Sequence, residues 1–196
     1  MIEHFSSDSR NQALARVLSH LMSPACLAAV LLPLVGRHFQ ATGAHIGLAF
    51  GLYVLLPGCL VLLMSPWSHS ADLYAPTAAL RQRILFSGTY CYIGSYVVLS
   101  GIGAHPALLW VGASFALGSA AVLVINRWWK ISIHVTGAGG AAVLGAVSLS
   151  PTPLWLALPT LAAWARLRRG AHTRSQVLAG CALGASITGL LGLYYI

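Results

Sequence analysis

The sequence predicts an all-α, polytopic transmembrane bundle of about six to seven spans, forming a single integral-membrane domain over residues 1–196. Three observations predict it. Of the 196 residues, 58% are hydrophobic and 7% charged, with mean hydropathy +0.78, whereas a soluble domain carries about 25% charged residues. Apolar runs near the roughly 20 residues that span a bilayer recur along the whole chain. No polar linker longer than about twenty residues separates them, so nothing marks a second domain.

The polar opening, Met1 to Arg10, does not begin a cleavable signal peptide. It leads into the first predicted span, 14–36, where Ser23-Pro24 and Pro33 predict a kink or a split. Spans 45–64, 84–103 and 107–126 follow; the last carries Gly112, Ala113, Ser114, Ala116, Gly118, Ser119 and Ala120, small residues that let helices approach closely. Span 132–150 opens on the glycine-rich run Gly137-Ala-Gly-Gly140, which suits close approach of a backbone or a neighbouring helix. Span 154–167 is short and contains Pro159, and span 177–196 ends the chain.

Three polar loops, 65–83, 127–131 and 168–176, are each separated from the next by two spans, so all three and the N-terminus emerge on one face. Arg10, Arg16, Arg81, Arg83, Arg127, Lys130, Arg166, Arg168, Arg169 and Arg174 belong to that face, and Arg37 alone to the other. The positive-inside rule makes the rich face cytoplasmic in a multi-pass plasma-membrane protein. Trp128 and Trp129 read as interfacial anchors, and Arg168, Arg169 and Arg174 as headgroup contacts. Membrane lipids are the expected partners; nucleic acid is not.

Acidic residues are confined to Glu3, Asp8 and Asp72. Magnesium-assisted diphosphate chemistry needs clustered carboxylates, because a hard cation takes oxygen ligands; no metal and no cofactor are expected. Cys26, Cys59, Cys91 and Cys181 lie within apolar runs without ligand spacing and read as small packing residues.

Two polar clusters at span ends carry chemistry. In Lys130-Ile-Ser132-Ile-His134, lysine and histidine are four apart and share a face if the helix has already begun at the lysine. In Arg166-x5-His172-x3-Gln176, the histidine precedes the last span, whose N-terminus favours an anion. The Arg166 fork matches phosphate oxygens bidentately. Cations beside imidazoles point to handling of a phosphate group.

The second cluster resembles the third signature of the type 2 phosphatidic acid phosphatase superfamily, Ser-Arg-x5-His-x3-Asp, with Ala165 for the serine and Gln176 for the aspartate. The first is similar to that superfamily's Pro-Ser-Gly-His signature, read here as Ile131-Ser132-Ile133-His134. Its Lys-x6-Arg-Pro signature is barely visible: Arg83-Ile84 places Pro76 at the lysine, and Arg81 places Tyr74 there. The resemblance covers residues 72–184 in order and topology.

The resemblance implies a metal-independent lipid phosphate phosphatase that works through a phosphohistidine. His172 is then the nucleophile and His134 the general acid. Arg166 and Arg83, or Arg81, hold the phosphate, and Ser132 donates a hydrogen bond. Lys130 supplies the cation missing from the first loop, and Gln176 orients His172. A prenyl (di)phosphate is the preferred substrate, ahead of a phosphatidate-type lipid. One alternative is a repurposed relative that binds or ionises a lipid diphosphate. A small transporter or structural protein is the other, although mid-span stretches 48–63 and 107–124 carry no charge.

Overall fold

Each predicted apolar segment folds as helix. The computed structural model describes residues 2–64 and 78–196, with side chains over 10–64 and 79–196, and no strand occurs among them. The first predicted span is two helices, α1 (Ile2–Leu21) and α2 (Pro24–His38), bent by 47° at the break. Ser23 makes that break: its Oγ accepts the Cys26 N–H at 3.3 Å. Pro24 then occupies the first turn, where its missing N–H costs nothing. Pro33 sits inside α2 without ending it.

Next come α3 (Gly43–Phe50), a π-helical turn over Gly51–Leu55 and α4 (Leu56–Met64), joined end to end. Pro57 accounts for the wide turn, because it has no N–H to return to Tyr53 and its ring crowds that carbonyl. They are followed by α5 (Ala78–Gly101), α6 (Pro106–Ile125) and α7 (Ile133–Ser148). A 3₁₀ turn (Pro153–Leu156), α8 (Ala157–Arg168) and α9 (Arg174–Tyr195) complete the chain.

The predicted six to seven spans meet a smaller number. Gly43–Met64, Ala79–Gly101, Pro106–Ile125 and Arg174–Tyr195 are long and apolar enough to cross a membrane, and the bent α1–α2 pair makes a fifth. The difference is length: α7 has 16 residues and α8 has 12. At 1.5 Å per residue they reach about 24 and 18 Å, against a hydrocarbon core of about 30 Å.

The centre of the bundle is the α7–α9 pair, with α2 and α8 against α7 and α6 against α9. The Gly137–Gly140 run admits a neighbour as expected, since a Cβ on Gly139 would meet the Cys181 carbonyl and one on Gly140 the Thr188 Oγ1 at 2.7 Å, and α9 answers with glycines of its own. A Cβ on Gly180 would meet the Ser132 carbonyl at 2.9 Å, and one on Gly184 would run into the Thr136 carbonyl. Trp110 locks α6 to α9 by donating its indole N–H to the Thr188 carbonyl at 2.8 Å. The turns after α2 and α5 meet at one end of the bundle, where the Phe39 and His105 rings lie 6.4 Å apart. The turns that precede α7 and α9 lie at the opposite end.

Outward faces are apolar, with Leu63 74% and Leu193 85% exposed, as suits helices surrounded by lipid. Cys26 and Cys59 are also exposed, so they are not packing residues as expected; the core at those points is made by Leu27, Leu31 and Tyr53 instead.

Candidate functional site

The spacing Arg-x5-His acquires a physical meaning at the α8–α9 turn. Helix α8 ends in a Schellman motif: the Gly170 N–H donates to the Leu167 carbonyl at 3.0 Å and the Ala171 N–H to the Arg166 carbonyl at 3.1 Å. That closure needs a left-handed residue, and Gly170 supplies it at φ +61°. Two residues later the chain enters α9 through a capping box. Thr173 Oγ1 accepts the Gln176 N–H at 3.4 Å, and Gln176 Oε1 accepts the Thr173 N–H at 3.0 Å. Arg166 and His172 are therefore fixed on the two sides of a short, fully specified turn.

His172 Nδ1 lies 3.2 Å from the Lys130 carbonyl oxygen. A carbonyl only accepts, so the proton sits on Nδ1 and the lone pair on Nε2. Gln176 makes a side-chain hydrogen bond to His172 while its Oε1 also closes the capping box, and the backbone of Lys130 is a second partner of the histidine. Burial and then the Arg166 charge push the His172 imidazole down to about 4. The Lys130 carbonyl and Gln176 oppose that shift, and the Lys130 charge adds to it. The ring is neutral near pH 7.

A cavity of about 520 Å³ opens beside this turn. Arg81, Lys130, His134, Arg166 and His172 line its polar end; Leu31, Val61, Tyr92 and Phe115 line its apolar part. Partial burial, then the charges of Arg81 and Arg166, push the Lys130 ammonium pKa down, as expected of cations that converge on one space. Arg166 is only 7% exposed and donates through Nη1 to Ser19 Oγ at 2.8 Å. The Arg81 Nε is buried without a hydrogen-bond partner among the described residues.

The structure thus brings together His172, His134, Arg166, Lys130 and Arg81. It does not bring Arg83, which is exposed and does not line the cavity. Two residues along a helix turn the side chain by about 200°, so Arg81 and Arg83 cannot face one space together. Tyr74 and Pro76, the alternative lysine positions, lie outside the described residues, as does Asp72; the side chains of Glu3 and Asp8 do too.

Ser132 is a further correction. It is fully buried and does not line the cavity; its backbone N–H reaches the Gln176 carbonyl at 3.4 Å and its own carbonyl accepts from Thr136 Oγ1 at 2.9 Å. Its backbone faces Gly180 across the α7–α9 contact, and its hydroxyl is buried without a hydrogen-bond partner among the described residues.

Two participants escaped the sequence: Ser19 and His20, at the end of α1. His20 stands among the titratable neighbours of His134, after Arg166 and His172. Nothing in the local pattern marks them, because a Ser-His pair beside an N-terminal span reads as interfacial. Comparison with known proteins adds no name to this geometry: no family model matches the chain, and no curated protein or solved structure does either.

Proposed function

We propose that this chain is a membrane-embedded, metal-independent lipid phosphate phosphatase of the type 2 phosphatidic acid phosphatase kind. In this reading α7 and α8, although short, complete a six- to seven-segment core, and the site faces the cytoplasm from the plasma membrane. The observation that carries it is His172, held by the Lys130 carbonyl with its lone pair on Nε2, in a cavity shared with His134 and three cations. A histidine that only bound phosphate would have no use for a fixed neutral tautomer.

The chemistry follows from those positions. Nε2 of His172 attacks phosphorus as the bond to the leaving alkoxide breaks, and His134 gives that oxygen a proton. Water then attacks the phosphohistidine, releasing inorganic phosphate and returning the proton to His134. Arg166, Lys130 and Arg81 stabilise the charge that develops on the phosphoryl oxygens, reinforced by the N-terminal dipoles of α7 and α9. The apolar part of the cavity receives the lipid chain of a prenyl (di)phosphate or a phosphatidate-type substrate.

The test is phosphate release by purified protein in detergent, with EDTA present, from farnesyl diphosphate, geranylgeranyl diphosphate and phosphatidate. EDTA-resistant release supports the reading; absence of release from all three sinks it. Gln176, spent on the capping box, leaves the phosphohistidine without a carboxylate partner, and this favours a second reading in which the pocket ionises a lipid diphosphate. Pyrophosphate in place of phosphate would identify it.

Two further outcomes are expected. Arg81→Ala lowers kcat/KM for phosphate release by about 10²-fold, the scale of one lost transition-state donor, whereas Arg83→Ala changes it by less than about twofold. Equal losses from both would mean that the exposed arginine also reaches substrate. For p-nitrophenyl phosphate, whose leaving group needs no proton from His134, the acid limb of the kcat/KM profile is expected near pH 4, not near 6.5. Protonation removes the nucleophilic lone pair, so activity holds down to about pH 5 and falls as pH drops through about 4. A limb at 6 or above would show that His172 is not the group being titrated.

A further inference from the structure

Helix α1 lies outside the region that resembles a phosphatase, yet it is docked along α8 by a stripe of spacing three and four. Gln12 Nε2 donates to the Arg168 carbonyl at 3.4 Å, and Ala15 and Ser19 are both 0% exposed, against Ala162 at 1% and Ala165 at 0% on α8. Small residues on both helices allow the close approach. At the end of that stripe the Ser19 hydroxyl accepts the Arg166 Nη1–H at 2.8 Å, both groups buried.

We propose that Ser19 is a positioning residue for the phosphate site: its hydroxyl fixes the direction of the Arg166 guanidinium, which makes α1 part of the site. The inference rests on the phosphate-binding reading of the cavity given above. A planar guanidinium presents five donors in a rigid fork, so a hydrogen bond that fixes one nitrogen sets where the others point. Ser19 is suited to this because it sits on a helix whose docking along α8 fixes it relative to the Arg166 backbone. That backbone is itself held by the Ala171 N–H on the Arg166 carbonyl. The neighbouring His20 comes within electrostatic reach of His134, so two consecutive residues of α1 border the chemistry. Ser19 does not line the cavity and acts only through Arg166.

The experiment is binding of orthovanadate, a phosphoryl mimic, to the purified full chain in detergent, followed by its thermal stabilisation. Wild type, Ser19→Ala, Ser19→Thr, Arg166→Ala and the Ser19→Ala/Arg166→Ala double variant are compared. Ser19→Ala takes the acceptor from a buried guanidinium N–H, so its melting temperature without ligand falls by a few degrees, and affinity is compared below that temperature, where both proteins are folded. Its orthovanadate affinity falls about tenfold, one charge-assisted hydrogen bond's worth. Ser19→Thr, which keeps the hydroxyl, recovers most of it, and the double variant binds no worse than Arg166→Ala alone. Wild-type affinity in Ser19→Ala alongside a loss in Arg166→Ala overturns the positioning role while leaving the phosphate site intact. An additive loss in the double variant overturns it too, since Ser19 would then act independently of Arg166. If wild type itself shows no orthovanadate-dependent stabilisation, the phosphate reading fails and takes this inference with it.

Discussion

His172→Ala reduces phosphate release to the uncatalysed level, a loss of about 10⁴-fold or more in kcat, from alkyl and aryl phosphates alike. The expectation follows from the nitrogen that the structure leaves free. Nδ1 is committed to the Lys130 carbonyl, so in the proposed mechanism Nε2 is the atom that bonds to phosphorus, and no other proposed nucleophile lines the polar end of the cavity. Arg81, Lys130 and Arg166 are donors rather than nucleophiles in the proposed mechanism, and His134 serves there as the acid. His134→Ala behaves differently, and the contrast is the stronger test. A general acid contributes about 10² to 10⁴ to expulsion of a poor leaving group. Farnesyl phosphate release therefore falls by that factor in His134→Ala, while p-nitrophenyl phosphate, whose leaving phenolate needs no proton, is turned over at a rate near wild type. His172→Ala fails on both. Recovery of the aryl substrate in His172→Ala, or its loss in His134→Ala, would show that the two histidines have been given each other's roles.

The two histidines, Arg166 and Lys130 were legible from the sequence because each stands at a boundary where an apolar run ends, and a polar group there is conspicuous. Their grouping was legible too, since counting spans places the loops before α7 and α9 at the same end. The hydrogen-bond partners were not. Gln176 stands where the resemblance places an orienting carboxylate and does hydrogen-bond His172, but Thr173 three residues earlier also makes it the third helical residue of a capping box, so its Oε1 accepts the Thr173 N–H as well. A second oxygen on the ring comes from a main chain, the Lys130 carbonyl, and a main-chain partner leaves no mark in side-chain identity. Ser132 failed for a related reason: one position before α7 begins, a change of about 100° per residue decides between the cavity and α9. The span count exceeds the four or five described helices long enough to cross because hydropathy measures how greasy a segment is and not its length, and Pro153 and Gly170 keep α8 short.

Gly184→Ala is expected to destabilise the fold by about 3 kcal/mol, and to disable the site without replacing any residue of the proposed phosphate site. The added methyl on Gly184 meets the Thr136 carbonyl, a backbone oxygen on α7, with the Gly140 backbone N at 3.1 Å behind it. A flexible side chain could turn aside; two backbones can only separate. Separation acts first on the long, shallow contacts between α7 and α9, the Ser132 N–H to Gln176 carbonyl bond at 3.4 Å and the His172 to Lys130 bond at 3.2 Å. Loss of the second frees the imidazole to take either tautomer, so kcat falls by more than the remaining folded fraction explains. Gly94→Ala is the control. It lies on the exposed side of α5 with nothing within 4 Å of the new methyl, and alanine's better helix propensity predicts an unchanged or higher melting temperature. A melting temperature for Gly184→Ala equal to that of Gly94→Ala would mean that α7 and α9 are not in backbone contact. The arrangement of His134 and His172 derived from that contact would then have to be abandoned.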